Sequence, residues 1–348
     1  MNTVDTKSHF QPGASPALAV VIIGRNEGER LRRCLLSVEE MHCPEGGIER
    51  VYVDTASEDG SAEMVESPGV RVIRLSPKEP SATLARNAGW RAVSAPFVLF
   101  LDGDCQIEKD FVVRALPNFK DPKVAIVWGR LREAYPSASL YNRLMDVQWI
   151  CLRSLPEGPC FYGTGVGLVR RSALEAVDGF NMKMINGENT EMGRRMQALG
   201  YVVLHLALPM VRHDAEMLRF LHYSRRFFRE GYSYARLEEI FRTSDQPLFR
   251  FEFSPLGGAL MLIGPPAALA GSIAFRSWLV LAVPALVLLV LLARTAFRYR
   301  TRASSLGEAL LFSLHWHFKL IPNFLGHLAY HNDKRTGRRR GLIEYRRD

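Results

Sequence analysis

Along the first half of the chain, short apolar runs alternate with stretches whose apolar residues recur at helical spacing. Ala17 to Gly24 (ALAVVIIG) is an unbroken apolar run of strand length. After it, Leu31, Leu35 and Val38 fall on one helical face. Val51 to Asp54, Val70 to Leu75 and Phe97 to Asp102 read as three more strands, with a helix predicted over Ser81 to Val93. Strands that alternate with helices of this size imply a parallel sheet with helical crossovers. Further on, Val124 to Leu131 predicts a strand, and Ser139 to Leu152 a helix or loop rich in aromatics. In Asn186 to Tyr201, Met192, Met196 and Leu199 give a helix with a core face, ended by Gly200. Tyr201 to Ala207 reads as a strand and Met217 to Glu239 as a long helix.

The last third has a different pattern. Leu256 to Phe275 and Ser277 to Ala293 carry no charge, and only Arg276 parts them. Each is near the length needed to cross a bilayer, so the pair reads as a membrane hairpin, with Pro265, Pro266 and Pro284 as kink sites. Arg294, Arg298, Arg300 and Arg302 follow at once, which puts that end on the cytoplasmic side by the positive-inside rule. A two-span hairpin then leaves the catalytic region in the cytoplasm, on a multi-pass protein of the cell inner membrane. Leu306 to Tyr330 is amphipathic, with Trp316 and Tyr330 as belt-type aromatics. Interfacial packing is the favoured account of His315, His317 and His327, with a metal site as the alternative. The tail that follows is basic and suits anionic headgroups. The organisation expected is a loose tail over 1–16, a catalytic domain over 17–245, the hairpin with its flanks over 246–305, and an interfacial helix and basic tail over 306–348.

Composition narrows this little. The chain has 348 residues, 47% hydrophobic, with a formal net charge of +9 that suits phosphorylated substrates, anionic lipid or nucleic acid. Much of that charge lies beside the apolar segments, which favours lipid and leaves nucleic acid as a distant alternative. Arg219, Arg225, Arg226 and Arg229 interleave with Phe220, Tyr223, Phe227, Phe228 and Tyr232, a pattern that suits an interfacial helix or a plain surface one. Five cysteines without a C-x-x-C pair argue against a disulfide framework or zinc ribbon. The polar N-terminus has no apolar h-region, so no signal peptide is expected. Neither G-x-G-x-x-G after the first strand nor G-x-x-x-x-G-K-[ST] occurs, so a dinucleotide site and a P-loop are unsupported.

Candidate chemistry gathers at strand ends. The first strand runs into Arg25-Asn26-Glu27, the second ends at Asp54 before a polar loop (TASEDGS), and the fourth ends in Asp102-Gly103-Asp104. Polar groups at the carboxyl ends of parallel strands share one crevice. Asp102 and Asp104 project to the same side of an extended segment, where a hard divalent ion relieves their repulsion. An Asp-Gly turn closing a strand is the alternative for those nine residues (FVLFLDGDC) taken alone.

The order VVIIGRNEGERLRRCL, VYVDTASEDGSA, ARNAGW, FLDGDC resembles a family 2 nucleotide-sugar glycosyltransferase of GT-A fold, over roughly Ala17 to Leu237. The resemblance implies an α/β class: a GT-A, Rossmann-like, mostly parallel sheet with flanking helices, here with a C-terminal transmembrane hairpin. It implies that Asn26, Glu27 and Asp54 hold the base and ribose, with Asp59 nearby and Arg86 beside the diphosphate. Asp102 and Asp104 match the family's D-x-D motif: Asp104 ligates Mn2+ or Mg2+, and Asp102 supports the ribose and the metal shell. Gly163, Thr164 and Gly165 precede a strand and RRSALEAVDGF, as in the sugar pocket of such enzymes. His213, in MVRHD, matches a position where some GT-A enzymes complete the metal shell. Family members usually carry Glu-Asp at the start of the Asn186 helix, the Asp being the base. Here Glu188-Asn189 stands instead, so Glu188 is the expected base, Glu191 the alternative, and Asn189 a pocket residue or an N-cap. Glu191 also pairs with Arg195 at i,i+4 spacing. The GEN-x-E string resembles retaining polypeptide N-acetylgalactosaminyltransferases, while the rest favours inversion. The expected partners are a nucleotide-diphosphate sugar, a lipid-linked or polysaccharide acceptor and membrane lipids, with no nucleic acid. The function implied is transfer to a hydroxyl. Transfer to polyprenyl phosphate, or a catalytically silent nucleotide-sugar-binding membrane scaffold, are the alternatives.

Overall fold

The computed structural model describes residues 16–65, 69–153, 155–161, 163, 165–184, 186–242 and 255–338. Thr164, most of the 1–16 tail, the start of the hairpin flank and the basic end beyond 338 lie outside them. The chain forms two compact units. One holds residues up to Arg132, Leu155–Met184 and Glu188–Asp214. The other holds Glu133–Ser154, Ile185–Gly187 and the residues from Ala215 on.

The first unit is built on one sheet. Its strands among the described residues are β1 (Leu18–Gly24), β2 (Ile48–Thr55), β3 (Arg71–Leu75), β4 (Phe97–Asp102), β5 (Cys105–Ile107), β6 (Val124–Glu133), β7 (Gly158–Pro159), β8 (Gly167–Arg170) and β9 (Val202–His213). They lie in the order β3-β2-β1-β4-β8-β6-β9-β5, with β7 paired to β9. β3, β2, β1 and β4 are parallel, as the apolar runs predicted. β8 then joins β4 in the antiparallel sense, and β6 joins β8 likewise. The continuous apolar character of β1 follows from its place between β2 and β4, where Leu18 to Ile23 are buried.

Helices cover the sheet. Glu29–Glu39 buries Leu31, Cys34 and Val38, so the inward face is set by Cys34 rather than by half-buried Leu35. Ala82–Arg91 begins at Ser81, whose Oγ accepts from the Leu84 amide (3.1 Å). A Cβ at Gly89 would collide with Val21, so glycine sets how closely this helix meets β1. Two boundaries differ from the sequence expectation. β9 does not stop at Ala207 but runs to His213, because β7 pairs with it near His205 and β5 pairs with Val211 to His213. Asn189 is the second residue of the helix Glu188–Ala198, not its cap. That helix ends before Gly200, which adopts φ +87°, the left-handed conformation anticipated there.

The second unit is helical: Leu140–Arg153, Phe220–Ile240, Pro255–Ala274, Leu279–Tyr299, Leu306–Phe318 and Leu320–Thr336. Val147, Cys151 and Phe312 form one core cluster, with Tyr299 and Trp316 against it. Tyr232, Ala235 and Tyr330 form another. Phe220–Ile240 and Leu320–Thr336 cross at two glycines. A Cβ on Gly231 would overlap the Asn323 carbonyl, and one on Gly326 the Phe228 carbonyl. The amphipathic C-terminal stretch is two helices parted at Lys319, with Leu310, Leu314 and Phe318 exposed and Phe312 and His315 buried. His315 bonds the Tyr223 hydroxyl (2.9 Å) and Gln148 Oε1 (2.7 Å), and burial holds it well below the usual imidazole range, with Lys319 adding to this. Buried Lys319 lies 4.4 Å from the Trp316 ring centroid.

Pro255–Ala274 and Leu279–Tyr299 are long and apolar enough to cross a membrane, and only 6% of each apolar window is buried within the protein. At 1.5 Å per residue each spans about 30 Å, the hydrocarbon thickness of a bilayer. They follow the two uncharged runs, the second continuing to Tyr299, and Arg276 at the turn takes φ +48°.

Candidate active site

The parallel register brings the strand-end carboxylates together. Gly24, last in β1, pairs with Asp54 on one side, and Ile23 with Asp102 on the other. The loops that follow are stitched to each other. Asn26 takes φ +55°, a left-handed conformation that asparagine tolerates. Its amide donates to Ser57 Oγ (2.9 Å), and its Oδ1 accepts from the Glu58 amide (2.8 Å). Ser61 Oγ accepts from the amides of Glu27 (3.1 Å) and Gly28 (2.9 Å), and donates to Asp59 Oδ1 (2.6 Å). Asp54 is buried and accepts from the Tyr52 hydroxyl (3.1 Å), the Ser57 amide (3.0 Å) and Ser57 Oγ (2.5 Å). Burial, reinforced by Asp54, pushes the Tyr52 phenol up, so it stays a donor. Asp54 and Asp59 therefore shape the TASEDGS loop, and Glu27 pairs with Arg30 (3.0 Å). Ser57 and Ser61, which sequence reasoning left as loop filler, hold this wall.

Arg86 is the centre of the second wall. Its side chain is 3% exposed, with one nitrogen 2.6 Å from Asp102 Oδ1 and another 2.5 Å from Glu188 Oε1. Burial works against its charge, and the two carboxylates more than offset that, so its pKa is raised. Burial raises Asp102 as well. Arg86 opposes this shift, and Asp104 and Glu188 add to it. Glu188 Oε1 also accepts from Asn189 Nδ2 (2.9 Å). Gly165 lies against the same cluster: a Cβ there would be 2.6 Å from an Arg86 nitrogen, 3.3 Å from Asp102 and 3.4 Å from Asn189. A narrow crevice beside it is lined by Phe100, Ile126, Gly163, Gly165, Phe180 and Asn189. Asn87, next to Arg86, bonds both the carbonyl (2.8 Å) and the amide (3.0 Å) of Phe180. That clamp was not legible, because its partner is 93 residues away. Glu191 is held elsewhere, chelated by Arg195 (2.8 to 3.0 Å) and touched by Asn181.

Asp104 and His213 meet where β5 pairs with β9. Cys105 opposes His213, and the Asp214 amide donates to the Asp104 carbonyl (2.8 Å). His213 Nε2 lies 3.5 Å from Asp104 Oδ2, and these two groups and the Cys105 thiol converge within 4.8 Å of one another. Burial pushes the Cys105 thiol well up, with Asp104 and Asp102 adding to it, and beside it the Asp104 carboxylate and His213 imidazole are the harder donors. One guanidinium cannot neutralise both Asp102 and Glu188, and Asp104 adds a further negative charge. An oxygen-and-nitrogen donor set with surplus negative charge fits Mn2+ or Mg2+.

The triad around Arg86 gives a stability prediction. Arg86→Met leaves two carboxylates facing each other and should cost on the order of 3 kcal/mol, read as a lowered unfolding midpoint. Arg86→Lys keeps the charge without the two-pronged geometry and should fall between.

Residues 19–178 match the family model described as glycosyl transferase family 2. Glycosyltransferase AglE of Haloferax volcanii is 25% identical over 197 residues, covering 53% of this chain and 63% of that one. The pre-mycofactocin glycosyltransferase of Mycobacterium tuberculosis is 30% identical over 226 residues, covering 60% of this chain and 46% of that one. The chain thus spans between about half and two thirds of the length of these relatives. Among solved structures, mannosyltransferase PcManGT from Pyrobaculum calidifontis, in complex with GDP-Man and Mn2+, has a TM-score of 0.57 at 19% identity over 87% of both chains. That likeness is one of fold, and it agrees with the GT-A arrangement of β3-β2-β1-β4 and the added antiparallel strands. With the match running from β1 to Asp178 and Asp102 closing β4, residues 19–178 resemble a family 2 glycosyltransferase domain and have the GT-A fold.

Proposed function

We propose that this chain is a membrane-anchored, divalent-metal-dependent glycosyltransferase. It moves one sugar from a nucleotide-diphosphate donor to a hydroxyl of a lipid-linked or polysaccharide acceptor, with inversion. The observation that carries the reading is the meeting of Asp102, Arg86 and Glu188 beside Asp104 and His213, at the carboxyl ends of parallel strands. The bound GDP-Man and Mn2+ of PcManGT support a nucleotide-sugar donor and a divalent ion.

The loops of Asn26–Glu27 and Asp54–Asp59 would receive the nucleoside, and Arg86 the diphosphate charge. Asp104, with Asp102 and His213 beside it, would hold Mn2+ or Mg2+, which would supply Lewis-acid stabilisation to the departing diphosphate. Gly163 and Gly165 leave room for the sugar. Glu188 takes the acceptor proton: Arg86 and Asn189 both bond Oε1, which orients Oε2 toward that task. Asn189 acts as an orienting amide at the position where the family resemblance implies an aspartate. The two apolar helices hold the chain in the cytoplasmic membrane, with the catalytic unit on the side where nucleotide sugars are made.

The second reading, transfer to polyprenyl phosphate, is favoured by Asn189 itself, since a phosphate acceptor arrives ionised and needs little base. The deciding experiment screens nucleotide sugars against the full chain with Mn2+ and Mg2+, reads nucleoside-diphosphate release, then determines the anomer. One preferred donor, activity lost with EDTA and a β-linked product from an α-linked donor are expected. No turnover with any donor leaves a sugar-binding scaffold. An α-linked product overturns inversion.

A further inference from the structure

Outside the glycosyltransferase domain, the helix Leu320–Thr336 carries two histidines one turn apart. Their spacing of four puts His327 and His331 on one face. Their Nε2 atoms are 3.1 Å apart, with the ring centroids 4.7 Å apart at an interplanar angle of 62°. Imidazole nitrogens bound to one first-row metal at about 2.0–2.1 Å are separated by roughly 2.8–3.4 Å, depending on whether the geometry is octahedral or tetrahedral. The Nε2 atoms thus already stand at the separation of two ligands of a single ion. Two histidines at i,i+4 on a helix are also the spacing by which helical metal sites present imidazole.

Burial raises the Glu238 carboxyl on Phe220–Ile240, and His331 partly opposes that shift. Of the two positive charges one turn away, Lys334 and Arg335, Lys334 pairs with Glu239 (2.7 Å), which also accepts from the Tyr330 hydroxyl (3.0 Å). Neither His327 nor His331 takes part in the reaction proposed above.

We propose that His327 and His331 form a two-imidazole binding site for a borderline divalent cation of the Zn2+, Ni2+ or Cu2+ kind. Soft-to-borderline ions are favoured over Mg2+ or Ca2+ because imidazole supplies both established positions. Without metal the same geometry is a hydrogen bond, one imidazole donating its Nε2–H to the other. When both Nε2 atoms ligate the ion, the donating ring carries its proton on Nδ1 instead, exchanged through solvent, and both imidazoles stay neutral.

The test uses the full chain in detergent, stripped with EDTA and desalted. Zn2+ is titrated calorimetrically, and Cu2+ is followed by electron paramagnetic resonance. Wild type should bind one more equivalent of Zn2+ than His331→Ala, and its Cu2+ spectrum should show coupling to two imidazole nitrogens. His331 is exposed, so His331→Ala should fold normally while its affinity at this site falls roughly 10–100-fold. His42→Ala, at an exposed histidine paired with Asp110, should bind as wild type does. Equal stoichiometry and affinity in wild type and His331→Ala, or a Cu2+ spectrum unchanged between them, overturns the proposal.

Discussion

Asp104→Ala is expected to lower nucleoside-diphosphate release from the preferred donor by about 10²–10³-fold, the loss that follows removal of a group aimed at charge developing in the transition state. Asp104 stands one residue before β5, is 8% exposed and lies beside His213, so in the proposed reaction its removal would take away the carboxylate that holds a cation next to the departing diphosphate. The fold should survive, because the backbone links at this corner, from Asp214 to the Asp104 carbonyl and from Gly103 to the Ile23 carbonyl (2.8 Å each), do not use the side chain. Circular dichroism should match wild type, and excess Mn2+ should restore little. His213→Ala should show the complementary pattern, a smaller loss that more Mn2+ partly rescues, since one imidazole contributes less charge than a carboxylate. A fully active Asp104→Ala enzyme would remove the metal from the proposed reaction.

Glu188→Gln carries the second large effect, a loss of about 10²–10⁴-fold in turnover with little change in donor KM. Glutamine keeps an oxygen for Arg86 and Asn189, so the wall around Gly165 stays in place while the proton acceptor is gone. The same variant separates the two candidate acceptors. An attacking hydroxyl has to lose its proton, whereas an attacking phosphate has already lost it. A drop of less than tenfold in Glu188→Gln, with intact donor binding, would therefore move the reading to a polyprenyl-phosphate acceptor. Donor hydrolysis by water should fall with transfer if Glu188 is the base, because water needs deprotonation too.

The sequence carried the parallel half of the sheet well, because β1 and β4 are buried between neighbouring strands and read as apolar runs. Asp54 and Asp102 were legible because they stand where the apolar runs of β2 and β4 stop, and Asp104 because it follows Asp102 by two residues. The partners of these groups were not legible. Arg86 reaches Glu188 over 102 positions, and Asn87 reaches Phe180 over 93, distances at which local pattern holds no information. The length of β9 was missed because two different strands extend it, a property of the sheet and not of the residues Met210 to His213. In the helical unit, apolar content gave the two long helices, but it did not reveal the division at Lys319. A lysine there looks like a surface residue and is instead buried against Trp316.

The three-residue strand β5 sits at the end of the sheet, paired among the described strands with β9, while its Ile107 amide donates to Ser37 Oγ (3.0 Å). A strand so short has fewer ladder bonds than β1, which is paired on both sides, so its amides should exchange with solvent deuterium faster than those of β1. Asp104 adjoins that strand and His213 lies on its neighbour, so an ion gripped by both would clip the two together. Adding Mn2+ should then slow exchange at Cys105 to Ile107 and at Val211 to His213, while β1 stays unchanged. Deuterium uptake would thus register metal occupancy even before any donor or acceptor is in hand.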